Sequence, residues 1–137
     1  MLNDAKINQL ISNCCPNEKF YGIFVYSTPT LEQAFILKEK AGFATKLYVV
    51  GINPEKIVVV GIDMFGEPLW SGVLAKDQIK TVKYSNYMFG LGKTIVIVTK
   101  DGEKLNLKAN RIVGGVKMQK ENLTAIEGII KNGAFAS

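Results

Sequence analysis

Gly90, Gly92, Lys93 and Thr94 are the residue types of a phosphate loop: glycines that let backbone N–H groups face an anion, then a lysine and a hydroxyl. The spacing denies the reading. A phosphate loop needs a further glycine five residues before Gly92, where Tyr87 stands, and a helix after the lysine, where the string TIVIVT favours a strand. Cys14 and Cys15 are adjacent, so pairing them would demand a strained ring, and the chain has no histidine and no further cysteine to complete a zinc shell. They read as small residues closing a helix before Pro16. With no histidine as general base, and with Asp63, Glu67 and Asp77 dispersed among separate turns, an enzyme is not expected, nor a metal, a cofactor or a small-molecule substrate.

The charged residues are unevenly placed. From Lys76 to Lys120 there are ten basic residues and three acidic ones, a local charge of +7 in a chain of +5, which leaves −2 for the rest. A face of that kind attracts anionic lipid, nucleic acid or an acidic partner, or is simply a solvated lysine-rich sheet face. Only Arg111 among the 17 basic residues is an arginine, a poor supply for reading bases, so nucleic acid is disfavoured. Tyr84, Tyr87 and Phe89 offer a stacking platform for single strands, although filling the hairpin bend is the better reading.

The elements that must position these residues follow from periodicity. Ile7, Leu10 and Ile11 place a short amphipathic helix over 4–13. A first strand is expected over 20–28 and a capped helix over 30–42. Then come six short β runs: KLYVVGI, KIVVVGID, LWSGVLA, IKTVKYS, KTIVIVTK and EKLNLKA. The separators NPE, FGEP and DG are turns, and the sequence implies consecutive antiparallel strands. A closing helix over 120–133 carries Leu123, Ile126 and Ile130 on one face, with Asn122 as N-cap and Gly133 as stop. Gly128 inside it suggests close packing on a sheet.

At 137 residues and 47% apolar, the chain suits one domain: a helical extension over 1–18, a core over 19–133 and a tail over 134–137. No apolar run reaches the roughly 20 residues of a membrane helix, and no leader pattern opens the chain, so the cytoplasm is the expected compartment.

A two-residue Asp101–Gly102 turn would pair Val98 with Leu105 and Val96 with Leu107, making those four the core face. Ile95 and Ile97 would then share the outer face with Lys104 and Lys108. Two isoleucines on a polar face imply either a cover, for which the N-terminal helix is the candidate, or a partner or membrane contact. With Lys93 and Lys83 nearby, these six residues form the candidate binding face.

Seven strands followed by an amphipathic helix, carried by YVVGINPEKIVVVGIDMFGEPLWSGVLAKDQIKTVKYS and GKTIVIVTKDGEKLNLKAN, resemble a bacterial pleckstrin-homology-like (PH-like) domain over about residues 46–131. The resemblance implies an α+β, mainly β fold: a bent antiparallel sheet or open barrel of about seven strands closed by a C-terminal helix. The N-terminal helix and the helical insert after the first strand are additions to it. It also implies a binding or assembly module without a reaction. Lipid-binding members of the wider superfamily hold an inositol phosphate on basic residues of the first two strands and their loop. Here Lys38, Lys40 and Lys46 are diluted by Glu32 and Glu39, with no arginine for a bidentate grip.

The expected partner is a protein or a second copy of the chain. The alternative is peripheral attachment to anionic lipid through the lysine-rich face. Trp70 is an anchor for such a contact or, the favoured reading, a core residue under the closing helix.

Overall fold

The computed structural model describes residues 2–27 and 46–136. The helix expected over 30–42, with Lys38, Lys40, Glu32 and Glu39, lies outside them. Among the described residues the order is α1 (Asp4–Cys14), β1 (Tyr21–Ser27), β2 (Lys46–Ile52), β3 (Lys56–Ile62), β4 (Pro68–Ala75), a 3-10 turn (Lys76–Gln78), β5 (Ile79–Tyr87), β6 (Gly92–Thr99), β7 (Lys104–Asn110) and α2 (Gln119–Lys131). The seven strands form one antiparallel sheet ordered β4-β3-β2-β1-β7-β6-β5. The protein is therefore α+β and mainly β, with, among the described residues, one helix before the strands and one after them.

Both faces of the sheet are used. On one, α2 buries Leu123, Ile126 and Ile130 against Ile23, Val25, Val50, Ile57, Val82, Ile95, Ile97 and Leu107. On the other, α1 buries Ile7, Leu10 and Ile11 against Val49, Val58, Val60 and Ile62. The strands β2 and β3, covered on both sides, accordingly read as nearly unbroken apolar runs. The N-terminal helix thus covers the β1–β4 half of the outer face, not the β6 isoleucines expected beneath it.

The helix sits close because two glycines pair beneath it. Gly22 in β1 is opposite Gly51 in β2. A Cβ on Gly22 would lie 2.6 Å from Ile7 Cγ2, and one on Gly51 would lie 2.9 Å from Ile11 Cδ1. The missing side chains form the trough that receives Ile7 and Ile11.

Three turns explain the strand order locally. Asn53 Oδ1 accepts the N–H groups of Glu55 and Lys56 (2.9 and 2.8 Å), closing the β2–β3 turn. Asp63 Oδ1 does the same for Phe65 and Glu67 at the β3–β4 turn, both at 2.9 Å. The β6–β7 turn departs from expectation. Thr99 N–H donates to Glu103 O (2.9 Å), Thr99 Oγ1 accepts Glu103 N–H (3.1 Å), and of the turn residues only Gly102 has positive φ, at 90°. The loop is Lys100, Asp101 and Gly102, a type I turn with a glycine bulge, one residue longer than the two-residue form.

That residue shifts the register to Ile97 opposite Leu105 and Ile95 opposite Leu107. A one-residue slip turns every side chain to the other face. Ile95 and Ile97 are therefore fully buried in the core with Leu107, while Val96 and Val98 lie half-buried on the outer face.

The C-terminal helix also begins differently. It starts at Gln119, and the amides just before it are capped from outside: Asp4 accepts Lys117 N–H (2.8 Å) and Met118 N–H (3.0 Å). Asn122 is no cap; it is inside the helix and donates to Gly22 O at 2.9 Å. Gly133, with φ of 83°, is the expected stop. Gly128, expected at a tight contact, has open space where a Cβ would be. Gly128→Ala should therefore raise stability by about 1 kcal/mol through helix propensity alone, seen as a higher urea midpoint at unchanged slope.

Candidate interaction surfaces

The corrected register separates the six expected site residues. Lys83, Lys104 and Lys108 share the outer face of β5–β7, because Lys83 pairs with Val96, Lys104 with Val98, and Lys108 with Thr94. Ile95 and Ile97 leave the face altogether. Lys93, two residues from Ile95, goes with them to the opposite side, where its Nζ is 5.7 Å from the Tyr84 ring centroid and contacts Asn86 Oδ1.

Aromatic groups edge the basic face. Lys108 pairs with Tyr26 of β1, and its Nζ lies 4.8 Å from the Tyr87 ring centroid. Burial and the adjacent Tyr87 hold the Tyr26 phenol above its ordinary range, so it remains a neutral hydroxyl at physiological pH. Asn106 Oδ1, in the strand row of Val96 and Lys83, is buried without a hydrogen-bond partner among the described residues.

Of a second surface, the edge strand β4, sequence reasoning reached only Trp70, as the less favoured alternative to a core position. Residues 68–73 are exposed, including Leu69 (66%), Trp70 (50%) and Val73 (41%). Trp70 is not under α2: it lies over Gly61 and meets Tyr48 edge-on, with centroids 5.8 Å apart at 68°. A groove lined by Leu10, Cys14, Val60 and Leu69 runs between α1 and this strand. The legible signals were Pro68 at the strand's first residue and Gly72 within it, both tolerated best at an edge.

The third surface is the β5–β6 turn. Met88 and Phe89 have φ of 50° and 58°, left-handed values that cost a residue with a Cβ roughly 1 kcal/mol each. Phe89 is wholly exposed, and Met88, Leu91 and Ile112 are mostly so. Arg111 ties the turn to the chain after β7: its N–H donates to Leu91 O (3.1 Å) and its guanidinium to Gly90 O (3.3 Å).

Phe89 therefore does not fill the hairpin bend. Tyr84, by contrast, turns inward and donates to Leu123 O at 3.3 Å, with burial pushing its phenol well up. The three aromatics form no common platform. Lys93 and Thr94 lie within β6, where no helix begins.

The surroundings of Cys15 do not activate a nucleophile. Burial, with Glu18 beside it, raises the thiol above its ordinary range, the reverse of what a reactive cysteine needs. Cys14 ends α1 and Cys15 follows it, as the sequence suggested. Among the described residues no three His, Cys, Asp or Glu side chains gather where a metal could bind, and no helix is long and apolar enough to cross a membrane. A scan against protein-family models finds no match to the chain, and neither does a search of curated proteins.

Proposed function

We propose that this protein is a PH-like, non-catalytic binding module whose β4 edge associates with a second polypeptide, in the first instance another copy of the chain. The observation that carries the reading is β4 itself, a strand with one side unpaired among the described residues and apolar residues exposed on both faces. Trp70 is held in place by Gly61 and Tyr48, so little side-chain freedom remains to be lost on contact. An unpaired edge of this kind adds a strand from a partner through main-chain hydrogen bonds, with side-chain pockets setting specificity. The strand order and the α2 cover support the PH-like assignment; the function rests on the edge.

The test is oligomeric state against concentration, by sedimentation equilibrium. Wild type should show a reversible monomer–dimer equilibrium, and Val73→Lys should shift it at least about tenfold toward monomer, since a charge at a pairing edge opposes strand addition. A wild-type protein that stays monomeric at millimolar concentration would remove self-association.

A second reading, peripheral binding to anionic membrane, is favoured by the convergence of Lys83, Lys104 and Lys108 on one face.

A further inference from the structure

We propose that the β5–β6 turn is a membrane-inserting tip, with Phe89 and Leu91 entering the acyl boundary of an anionic bilayer while Lys93, Lys108 and Arg111 hold lipid phosphates. This rests on the second reading above and adds to it the residues that enter the bilayer and the orientation of the protein on it.

Position is the first argument. The last strand row before the turn joins Tyr87, Gly92 and Asn110; Lys93 occupies the next row and Lys108 the one after. At about 3.3 Å per residue those cations trail the turn by no more than roughly 10 Å, the depth that separates acyl boundary from phosphates. Arg111 is closer still, bonded to the turn through Gly90 O. An apolar point followed by a collar of cations, Lys93 on one face of the sheet and Lys108 on the other, matches the layering of an anionic bilayer surface, in which long basic side chains reach up to phosphate.

Charge complementarity is the second. Neither segment that builds this end contains a carboxylate: there is none from Ile79 to Lys100, nor from Lys104 to Lys120. A tip made to enter a protein groove gains from a rim of both signs, whereas one facing lipid phosphate gains only from cations.

Conformation is the third. Two left-handed non-glycine residues in succession, Met88 and Phe89, project an apolar ring that a glycine-rich turn would have withdrawn at no strain. Strain of this kind gathers where a side chain must be presented.

Co-sedimentation with vesicles of equimolar phosphatidylcholine and phosphatidylglycerol, against phosphatidylcholine alone, tests the proposal. Wild type should pellet with the anionic vesicles only. Phe89→Ser/Leu91→Ser should lower the partition on the order of 100-fold, since each side chain loses most of its transfer from water. Lys93→Glu/Lys108→Glu, which reverses the collar, should lower it while making what remains less sensitive to salt.

A Phe89→Trp/Trp70→Phe protein gives an independent measure: its emission should shift blue and be quenched by brominated acyl chains. Wild-type pelleting undiminished by the serine pair, or an indole at the tip that stays unquenched on bound vesicles, would overturn insertion and leave binding by the lysine face. No pelleting of wild type would overturn both.

Discussion

Gln119→Leu should destabilise the protein by about 4 kcal/mol, read from urea unfolding, although leucine fills nearly the same volume. Gln119 is 1% exposed. Its Oε1 accepts Phe24 N–H at 2.9 Å, and its Nε2 donates to Phe24 O at 2.8 Å and Asn110 O at 3.1 Å. β1 and β7 form one paired row, Tyr26 with Lys108. Beyond it the carboxamide takes the place of a missing strand residue. Leucine would leave three backbone groups without partners, each costing about 1–3 kcal/mol where water cannot reach.

Gln119→Glu separates shape from hydrogen bonding. A carboxylate keeps the bond from Phe24 N–H but turns its other oxygen toward two carbonyls, so the protonated acid, which can donate, is favoured in the fold. The variant's folded pKa is then raised above the unfolded value of about 4.3. Its deficit relative to wild type should be full at neutral pH, narrow as pH falls through the raised pKa, and reach its minimum below about 4.3.

Ile97→Ala should cost about 3–4 kcal/mol, while Val98→Ala, the next residue in the same strand, should cost about 1 kcal/mol or less. Ile97 has no exposed surface and packs in the cluster that includes Val82 and Leu107; Val98 is half-buried on the other face. The pair tests the β6–β7 register directly, because a two-residue Asp101–Gly102 turn would reverse the order of the two costs. Equal losses in urea unfolding would mean that neither register holds uniquely.

That register marks where sequence reasoning stopped. The seven strands and both described helices were readable because Pro, Gly and Asn punctuate them and their apolar residues keep a period of two or near 3.6. The length of one turn was not, because it depends on the Thr99 side chain accepting Glu103 N–H, and one residue there exchanged the buried and open faces of β6 relative to the expected pairing. Two isoleucines stranded among lysines were the sign of the slip: a face that demands an extra cover is more simply read as the core. Gln119 was illegible for a different reason, since a polar residue opening an amphipathic helix looks solvated until the gap between β1 and β7 is known. Trp70 went astray because edge and central strands share composition and differ in neighbours. The basic face was legible as a charge imbalance; of its six expected members Lys83, Lys104 and Lys108 share the outer face, whereas Lys93, Ile95 and Ile97 lie on the other side.

The contact between Asp4 and the amides of Lys117 and Met118 joins the first turn of α1 to the start of α2, 113 and 114 positions along the chain. A helix that rests in a glycine trough and also caps the helix on the other face is not an appendage. Release of α1 would uncover the outer apolar face and uncap α2 in one event, which ties loss of the segment up to Cys14 to the stability of the helix on the opposite face.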